Sequence, residues 1–419
     1  MPRNGFDKKT GEKTDKEDRK EDRQEDEQEN RKKTNMKTDI KTGMKTNMKT
    51  DIKTDINANA NTDVKSEAKK GSIPERKART EEEMRAEEEA KEKPMAVTAQ
   101  REIEIDAGVE AGIETGKEIE EAEGIDKRRQ GLMNLIRRVH GMVENADIEK
   151  HRQSQDHIGT ILSNTKAIEY REVDIDGMYG EWVGVNRAHM KKYVLLHCHG
   201  GGYSTGSSLY ARTLTSKLAE STSMDVLCFD YRLAPEHPYP AALEDAMRAW
   251  NYLMLLGYGA RDVIVTGDSA GGNLALALTL KLKQEKRLLP RGVVLMSPWT
   301  DLTSTGKSFQ TKAEADPVLN CAYIDRMVQA YAGDRDLTDP LISPLFGDFE
   351  GFPPAYIQVG ENEILLSDAL RLHRTFVEKN VPVKIDIYPG MWHVFQMSPV
   401  KAARAAMDKN AEFIFDVCR

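Results

Sequence analysis

The sequence predicts an α/β fold, because short apolar runs alternate with amphipathic segments over its C-terminal part. The runs are rich in Val and Ile, which is typical of strands buried on both faces of a mostly parallel sheet. They cover 193–199, 225–231, 262–267, 292–299, 355–360 and 383–390. Between them, apolar residues recur at helical spacing in segments that begin at Tyr210, Ala242, Gly271 and Ser367. We therefore expect a central parallel sheet flanked by helices.

The N-terminal part has a different composition. Residues 1–127 contain almost no aromatic side chains and are dense in Lys, Glu, Asp and Thr, and a Lys-Thr-x-Ile/Met unit repeats between Lys33 and Ile56. Such a segment buries too little apolar area to offset the entropy of ordering its backbone. We predict a disordered or loosely helical extension over 1–127 and one folded domain over 128–419.

Bulk composition excludes several function classes. The formal net charge of −8 gives no basic surface of the kind that nucleic acid requires. Apolar runs stay well short of the roughly 18 residues that a membrane-spanning helix needs. The cysteines are far apart and form no CxxC pair, which favours reduced thiols in the cytoplasm. They are Cys198, Cys228, Cys321 and Cys418.

The strongest local signal is the pentapeptide Gly267 to Gly271, which reads Gly-Asp-Ser-Ala-Gly and matches G-x-S-x-G. It follows the predicted strand at 262–267 and precedes a predicted helix. That context is typical of a tight strand-to-helix turn that exposes a nucleophilic serine and needs glycine on either side. The start of the helix also points backbone amides at the serine. Ser269 is therefore our candidate nucleophile, and a plain glycine-rich turn is the alternative.

A second glycine-rich segment, His199-Gly200-Gly201-Gly202-Tyr203, follows the first predicted parallel strand. Successive glycines let bare amides approach a ligand, and two such amides with that of Ala270 would bind the oxyanion of a tetrahedral intermediate. A flexible turn is one alternative. A phosphate-binding loop is another, but neither a GK[ST] ending nor G-x-G-x-x-G spacing is present.

A serine hydroxyl needs a base, and the base needs an acid that fixes its tautomer. His393 is the candidate base, because it follows the last predicted strand in a loop that Pro389 and Gly390 interrupt. The acid should follow the strand at 355–360. Glu363 is the first choice there and Asp368 the second. The chain order Ser269, Glu363, His393 is the order that α/β-hydrolases use.

His197 and His199 form an H-x-H pair that would face one side of the sheet. No convincing third ligand accompanies them, so we predict no metal site.

Taken together, these motifs resemble those of the hormone-sensitive lipase family of esterases, in the α/β-hydrolase superfamily. The resemblance rests on the segments at 199–203, 230–242, 267–273, 297–302 and 388–393, and it covers about 128–419. It implies hydrolysis of short- to medium-chain esters without a cofactor, with oxyanion amides from Gly201, Gly202 and Ala270. The sequence departs from the family at the acid, where Glu363 replaces the commoner Asp.

The resemblance also implies a helical cap over the site, built from about 128–165 and 309–345. The expected partner is a small-molecule ester, and the sequence leaves room for a homo-oligomer. Two other functions stay open. An amidase or peptidase would share every motif, and a non-catalytic ligand-binding protein would share the fold but need not keep the Ser, acid and His.

Overall fold

The computed structural model describes residues 123–144, 147–162, 167–189 and 191–419. The extension predicted over 1–127 lies outside the described residues, except for its last five, which belong to a helix that begins at Glu123. None of the described helices combines the length and the apolar character that crossing a lipid bilayer requires.

The described residues contain one eight-stranded sheet with the order β1-β2-β4-β3-β5-β6-β7-β8. Its strands are β1 (Ile168–Ile175), β2 (Met178–Val185), β3 (Val194–Cys198), β4 (Asp225–Phe229), β5 (Val263–Asp268), β6 (Gly292–Met296), β7 (Ala355–Gly360) and β8 (Val383–Tyr388). Strands β3 to β8 pair in parallel, whereas β1 and β2 are antiparallel to their neighbours. The prediction of a mostly parallel α/β sheet is confirmed.

Strands β1 and β2 form a hairpin that was not predicted from the sequence. Asp176 and Gly177 connect them, with φ angles of 53° and 80°. Positive φ at both central residues defines the two-residue turn whose twist matches antiparallel strands. Asp-Gly is a strong signal for that turn, so the hairpin could have been predicted from the sequence.

Helices cover both faces of the sheet. They are α1 (Glu123–Glu144), α2 (Ile148–Leu162), α3 (Ser208–Thr222), α4 (Ala241–Leu255), α5 (Ala270–Gln284), α6 (Ser308–Thr311), α7 (Cys321–Ala332), α8 (Leu366–Glu378) and α9 (Lys401–Cys418). Alternate residues of a strand point to opposite faces. Accordingly, Leu196 packs in a core with α4, α5 and α8, whereas Leu195 packs in a second core with α3 and α9.

Of the two ranges predicted for a cap, 128–165 includes most of α1 and all of α2, and 309–345 includes most of α6 and all of α7. Helix α2 crosses α3 closely, since a Cβ on Gly159 would lie 2.3 Å from the carbonyl oxygen of Leu209. Close packing therefore attaches α2 to the helix that follows the glycine-rich segment.

We predict that Gly271→Ala destabilises the fold although alanine is the better helix former. A Cβ on Gly271 would lie 2.0 Å from the carbonyl oxygen of Cys198 in β3, so strand and helix would have to separate. Overpacking of this kind costs about 2 kcal/mol or more in the free energy of unfolding. Chemical denaturation of the purified variant measures that loss.

The matched control is Gly131→Ala, because Gly131 is also helical but has open space around it. That change should be neutral or should stabilise by up to about 1 kcal/mol. Equal stabilities for the two variants would show that the approach of α5 to β3 is looser than described.

Candidate active site

Ser269 lies at the turn between β5 and α5. Its φ and ψ angles of 54° and −122° are strained for a residue with a side chain. The turn is so tight that no side chain fits at Gly267, because a Cβ there would lie 2.2 Å from the carbonyl oxygen of Gly271. The Ser269 amide donates to the carbonyl of Met296, 3.0 Å away, which ties the turn to the end of β6. The hydroxyl is thus fixed at the carboxyl edge of the sheet.

His393 reaches Ser269 from the loop after β8. Its Nε2 lies 2.9 Å from Ser269 Oγ, and its Nδ1 lies 2.7 Å from Glu363 Oε2. All three side chains are buried, and they come from segments that follow three strands of the sheet. Because the carboxyl ends of parallel strands meet at one edge, the topology brings together residues that are far apart in sequence.

Glu363 occupies the turn between β7 and α8 and is held on both sides. Its Oε2 faces His393, while its Oε1 accepts hydrogen bonds from the Gly360 amide and from Ser297 Oγ, 2.9 Å away. Ser297 also accepts a 3.1 Å hydrogen bond from the Val394 amide, next to His393. This fully buried serine therefore connects the acid to the histidine loop. Sequence reasoning missed it, because the relevant contacts lie 66 and 97 residues away.

Asp368, the second choice for the acid, has a different environment. It lies in the first turn of α8, and its Oδ2 accepts hydrogen bonds from the amides of Thr300 and Asp301 at 2.8 and 2.9 Å. Burial, with a smaller contribution from the charge of Asp301, raises the pKa of Asp368 to about 7. The structure therefore places Glu363, and not Asp368, against His393.

The electrostatics at His393 favour an imidazole that readily takes up a proton. Burial alone lowers its pKa, but the hydrogen bond and charge of Glu363 outweigh that effect, and the charges of Asp316 and Asp268 act in the same direction. The net result is a pKa of His393 above its ordinary value. The arrangement suits a base that removes a proton from the Ser269 hydroxyl.

The glycine-rich segment lies beside Ser269. Gly201 and Gly202 have φ angles of 118° and 62°, in a region that side chains rarely adopt, and neither amide donates a hydrogen bond to another described residue. Gly200 donates to Asp268 Oδ1 at 3.1 Å, which fixes the loop to the residue before Ser269. Ala270 is the first residue of α5, where helix amides have no partner within the helix. These amides are available to a developing oxyanion.

Side chains from helix α2 support this loop from one side. Arg152 donates to the carbonyl of Ser204 at 2.9 Å and pairs with Glu236 at 2.8 Å. Gln155, one turn further along the same helix, accepts a 3.1 Å hydrogen bond from the Gly206 amide. Two polar side chains of α2 thus hold the residues that directly follow the glycines.

Helix α7 covers the loop from the other side. Met327 Cγ lies 2.8 Å from where a Cβ on Gly202 would be, so glycine is needed for the helix to approach. Tyr331 stacks on Tyr203 with ring centroids 3.7 Å apart, and the Tyr203 hydroxyl donates to Asn273 Oδ1 in α5 at 2.7 Å. The glycine-rich loop therefore lies between α7 and α5, the helix that follows Ser269.

The H-x-H pair has structural partners. His197 Nδ1 lies 2.9 Å from Thr266 Oγ1, and His199 stacks on Tyr231 with its Nδ1 2.8 Å from the carbonyl of Gly200. Burial lowers the pKa of His199 to about 4. In the part of the chain that the structure describes, no group of three or more His, Cys, Asp or Glu residues is arranged to hold a metal ion.

Comparisons with known proteins identify the fold and several related enzymes. A family profile described as an alpha/beta hydrolase fold matches residues 195–397. An esterase of Acinetobacter venetianus is 37% identical over 261 residues, which cover 62% of this chain and 86% of that protein. An acetyl-hydrolase of Streptomyces hygroscopicus is 36% identical over 251 residues, covering 60% and 83% respectively.

A solved structure extends the comparison to three dimensions. The crystal structure of a hormone-sensitive lipase from a metagenome library has a TM-score of 0.65 and 32% sequence identity. The similarity covers 70% of this chain and 98% of that one. The likeness therefore includes almost the whole of that protein.

We predict that Glu363→Gln lowers kcat/KM far more than Asp368→Asn does. A glutamine amide facing His393 Nδ1 would disfavour the required tautomer and would no longer stabilise the imidazolium, a change that costs about 10⁴-fold in a comparable triad. Asp368→Asn leaves the Glu363 to His393 contact in place. Steady-state hydrolysis of a soluble ester by both purified variants provides the measurement, and the opposite ranking would identify Asp368 as the acid.

Proposed function

Because this chain belongs to the hormone-sensitive lipase family of carboxylesterases, within the α/β-hydrolase superfamily, we propose that Ser269, His393 and Glu363 are its catalytic residues. The observation that carries the proposal is the continuous chain of hydrogen-bond distances from Ser269 Oγ through both nitrogens of His393 to Glu363. In such a chain the histidine acts as the base that activates the serine hydroxyl, and the carboxylate fixes the tautomer of the histidine.

The reaction proceeds in two halves. His393 Nε2 takes the proton of Ser269 as Oγ attacks the ester carbonyl, and the amides of Gly201, Gly202 and Ala270 stabilise the oxyanion. The protonated His393 then gives its proton to the leaving alcohol, and an acyl group remains on Ser269. In the second half His393 takes a proton from water as the water oxygen attacks the acyl carbon. The bond between Ser269 Oγ and that carbon then breaks, the protonated His393 returns the proton to Oγ, and the carboxylic acid leaves.

We propose short acyl chains as the preferred substrates. Ser269 and His393 are only 9% and 6% exposed, so the reacting groups lie below the surface. Met327 packs against Gly202, so α7 comes close to one of the glycines proposed to bind the oxyanion. The name of the related Streptomyces protein, an acetyl-hydrolase, agrees with a small acyl group. Substrate choice would then depend on α7 and on the other segments predicted to form the cap.

We also propose a reducing, cytoplasmic location. All four cysteines are unpaired, and Cys198 and Cys228 are buried at the sheet, where they act as small apolar residues. A homo-oligomer stays a prediction from the sequence.

Ser269→Ala tests the proposed nucleophile. Wild-type protein should hydrolyse p-nitrophenyl esters, fastest with acetate and butyrate and more slowly with longer chains, while the variant should lose more than about 10³-fold in kcat. Unchanged melting of the variant serves as the control for folding. Activity equal to wild type would reject Ser269 as the nucleophile.

The same assay separates the alternative functions. Matched p-nitrophenyl acetate and p-nitroacetanilide should show a strong preference for the ester, whereas faster turnover of the anilide would indicate an amidase. A wild-type protein that binds these compounds without turnover would indicate a non-catalytic ligand-binding protein.

A further inference from the structure

A buried carboxylate outside the proposed triad contacts the turn that holds Glu363. Asp316 precedes α7, and this residue is only 5% exposed. Its Oδ1 accepts the amides of Val318 and Leu319 at 2.8 and 3.0 Å, which forms a local turn. Its Oδ2 accepts the amide of Ile364 at 2.9 Å. A residue 48 positions away in the chain therefore fixes the peptide group that follows the acid.

The Ile364 residue is held at both of its backbone polar groups. While Asp316 accepts its N–H, Ser308 at the start of α6 donates its hydroxyl to the Ile364 carbonyl. Glu363 itself is held by Ser297 and Gly360. The segment from 308 to 319 thus supplies a second set of hydrogen bonds to the turn that holds Glu363 (the acid turn). These bonds add to those that Glu363 accepts from Ser297 and Gly360.

Asp316 also affects the charge around His393. Three carboxylates act on the imidazole from different elements: Glu363 from the turn after β7, Asp268 from the end of β5, and Asp316 from the segment before α7. Burial raises the pKa of Asp316 to about 6, against the lowering effects of His393 and of the three amides. Above that pH Asp316 is mostly ionised, and its charge favours the imidazolium form of His393.

We propose that Asp316 is a positioning residue for the reaction, which fixes the turn of Glu363 and adds negative charge beside His393. The inference rests on the proposed function of the triad. It gives the segment between α6 and α7 a role in aligning Glu363 with His393. Loss of Asp316 should therefore change the chemical step and its pH dependence, and not only substrate binding.

Asp316→Asn is the principal test, with kcat and KM measured on p-nitrophenyl acetate from pH 5 to 9. The variant removes one negative charge near His393, so the pKa of His393 falls. The acidic limb of kcat/KM, which reports the free enzyme, should then move to lower pH. We also expect kcat to fall about tenfold with little change in KM, because a small displacement of the turn that holds Glu363 misaligns the reacting groups.

The matched control is Asp336→Asn. Asp336 makes the same kind of local turn, accepting the Thr338 amide at 2.9 Å, but it is exposed and does not contact the acid turn. This variant should keep the wild-type kcat and the wild-type pH profile. An Asp316→Asn protein that also keeps both would overturn the proposal.

Asp316→Glu keeps the test decisive if Asp316→Asn does not fold. It retains the negative charge but displaces the carboxylate, so the acidic limb should stay at the wild-type pH while kcat falls. A wild-type kcat in this variant would contradict a positioning role. The two ways of failing give different results. If the proposed function is wrong, Ser269→Ala stays active; if only the role of Asp316 is wrong, Ser269→Ala is inactive and the Asp316 variants behave like wild type.

Discussion

The site depends on the close approach of α5 to the end of β3. Gly267 and Gly271 let the chain turn within a few residues from β5 into α5, and at both positions a Cβ would overlap backbone atoms. In this arrangement Ser269 takes up its strained conformation close to the glycine-rich segment. The strain is maintained by the packing of a sheet that is buried on both faces.

A second constraint is electrostatic. The described site gathers several buried carboxylates around a single imidazole, and each is satisfied by backbone amides or hydroxyl groups. Glu363 accepts from Gly360 and Ser297, and Asp316 accepts from three amides. Without those donors, burial would drive the carboxylates to their neutral forms. The hydrogen bonds therefore keep negative charge beside His393, where it stabilises the protonated base during turnover.

The sequence predicted the parts of this structure that depend on local patterns. The six parallel strands follow from runs of Val and Ile, and the positions of Ser269 and His393 follow from turns at the ends of two of them. The resemblance to the hormone-sensitive lipase family, stated from five motifs, is confirmed by the comparisons. The hairpin of β1 and β2 was missed although Asp176 and Gly177 signal its turn.

Long-range contacts could not be read from the sequence in the same way. The sequence ranked Glu363 above Asp368 only by its position after β7, and the choice depends on which carboxylate the loop of His393 meets. Ser297 and Asp316 lie in segments whose roles appear only when β6, β7 and the region before α7 come together. Such residues become visible through hydrogen bonds between segments that are distant in the chain.

Covalent labelling with phenylmethylsulfonyl fluoride, followed by peptide mass spectrometry, tests the central claim most directly. The account expects a single adduct on Ser269 of the wild-type protein, formed at least about a hundredfold more slowly in His393→Gln because the base is lost. An adduct on another residue, or equal labelling rates in the two proteins, would contradict the pairing of Ser269 with His393.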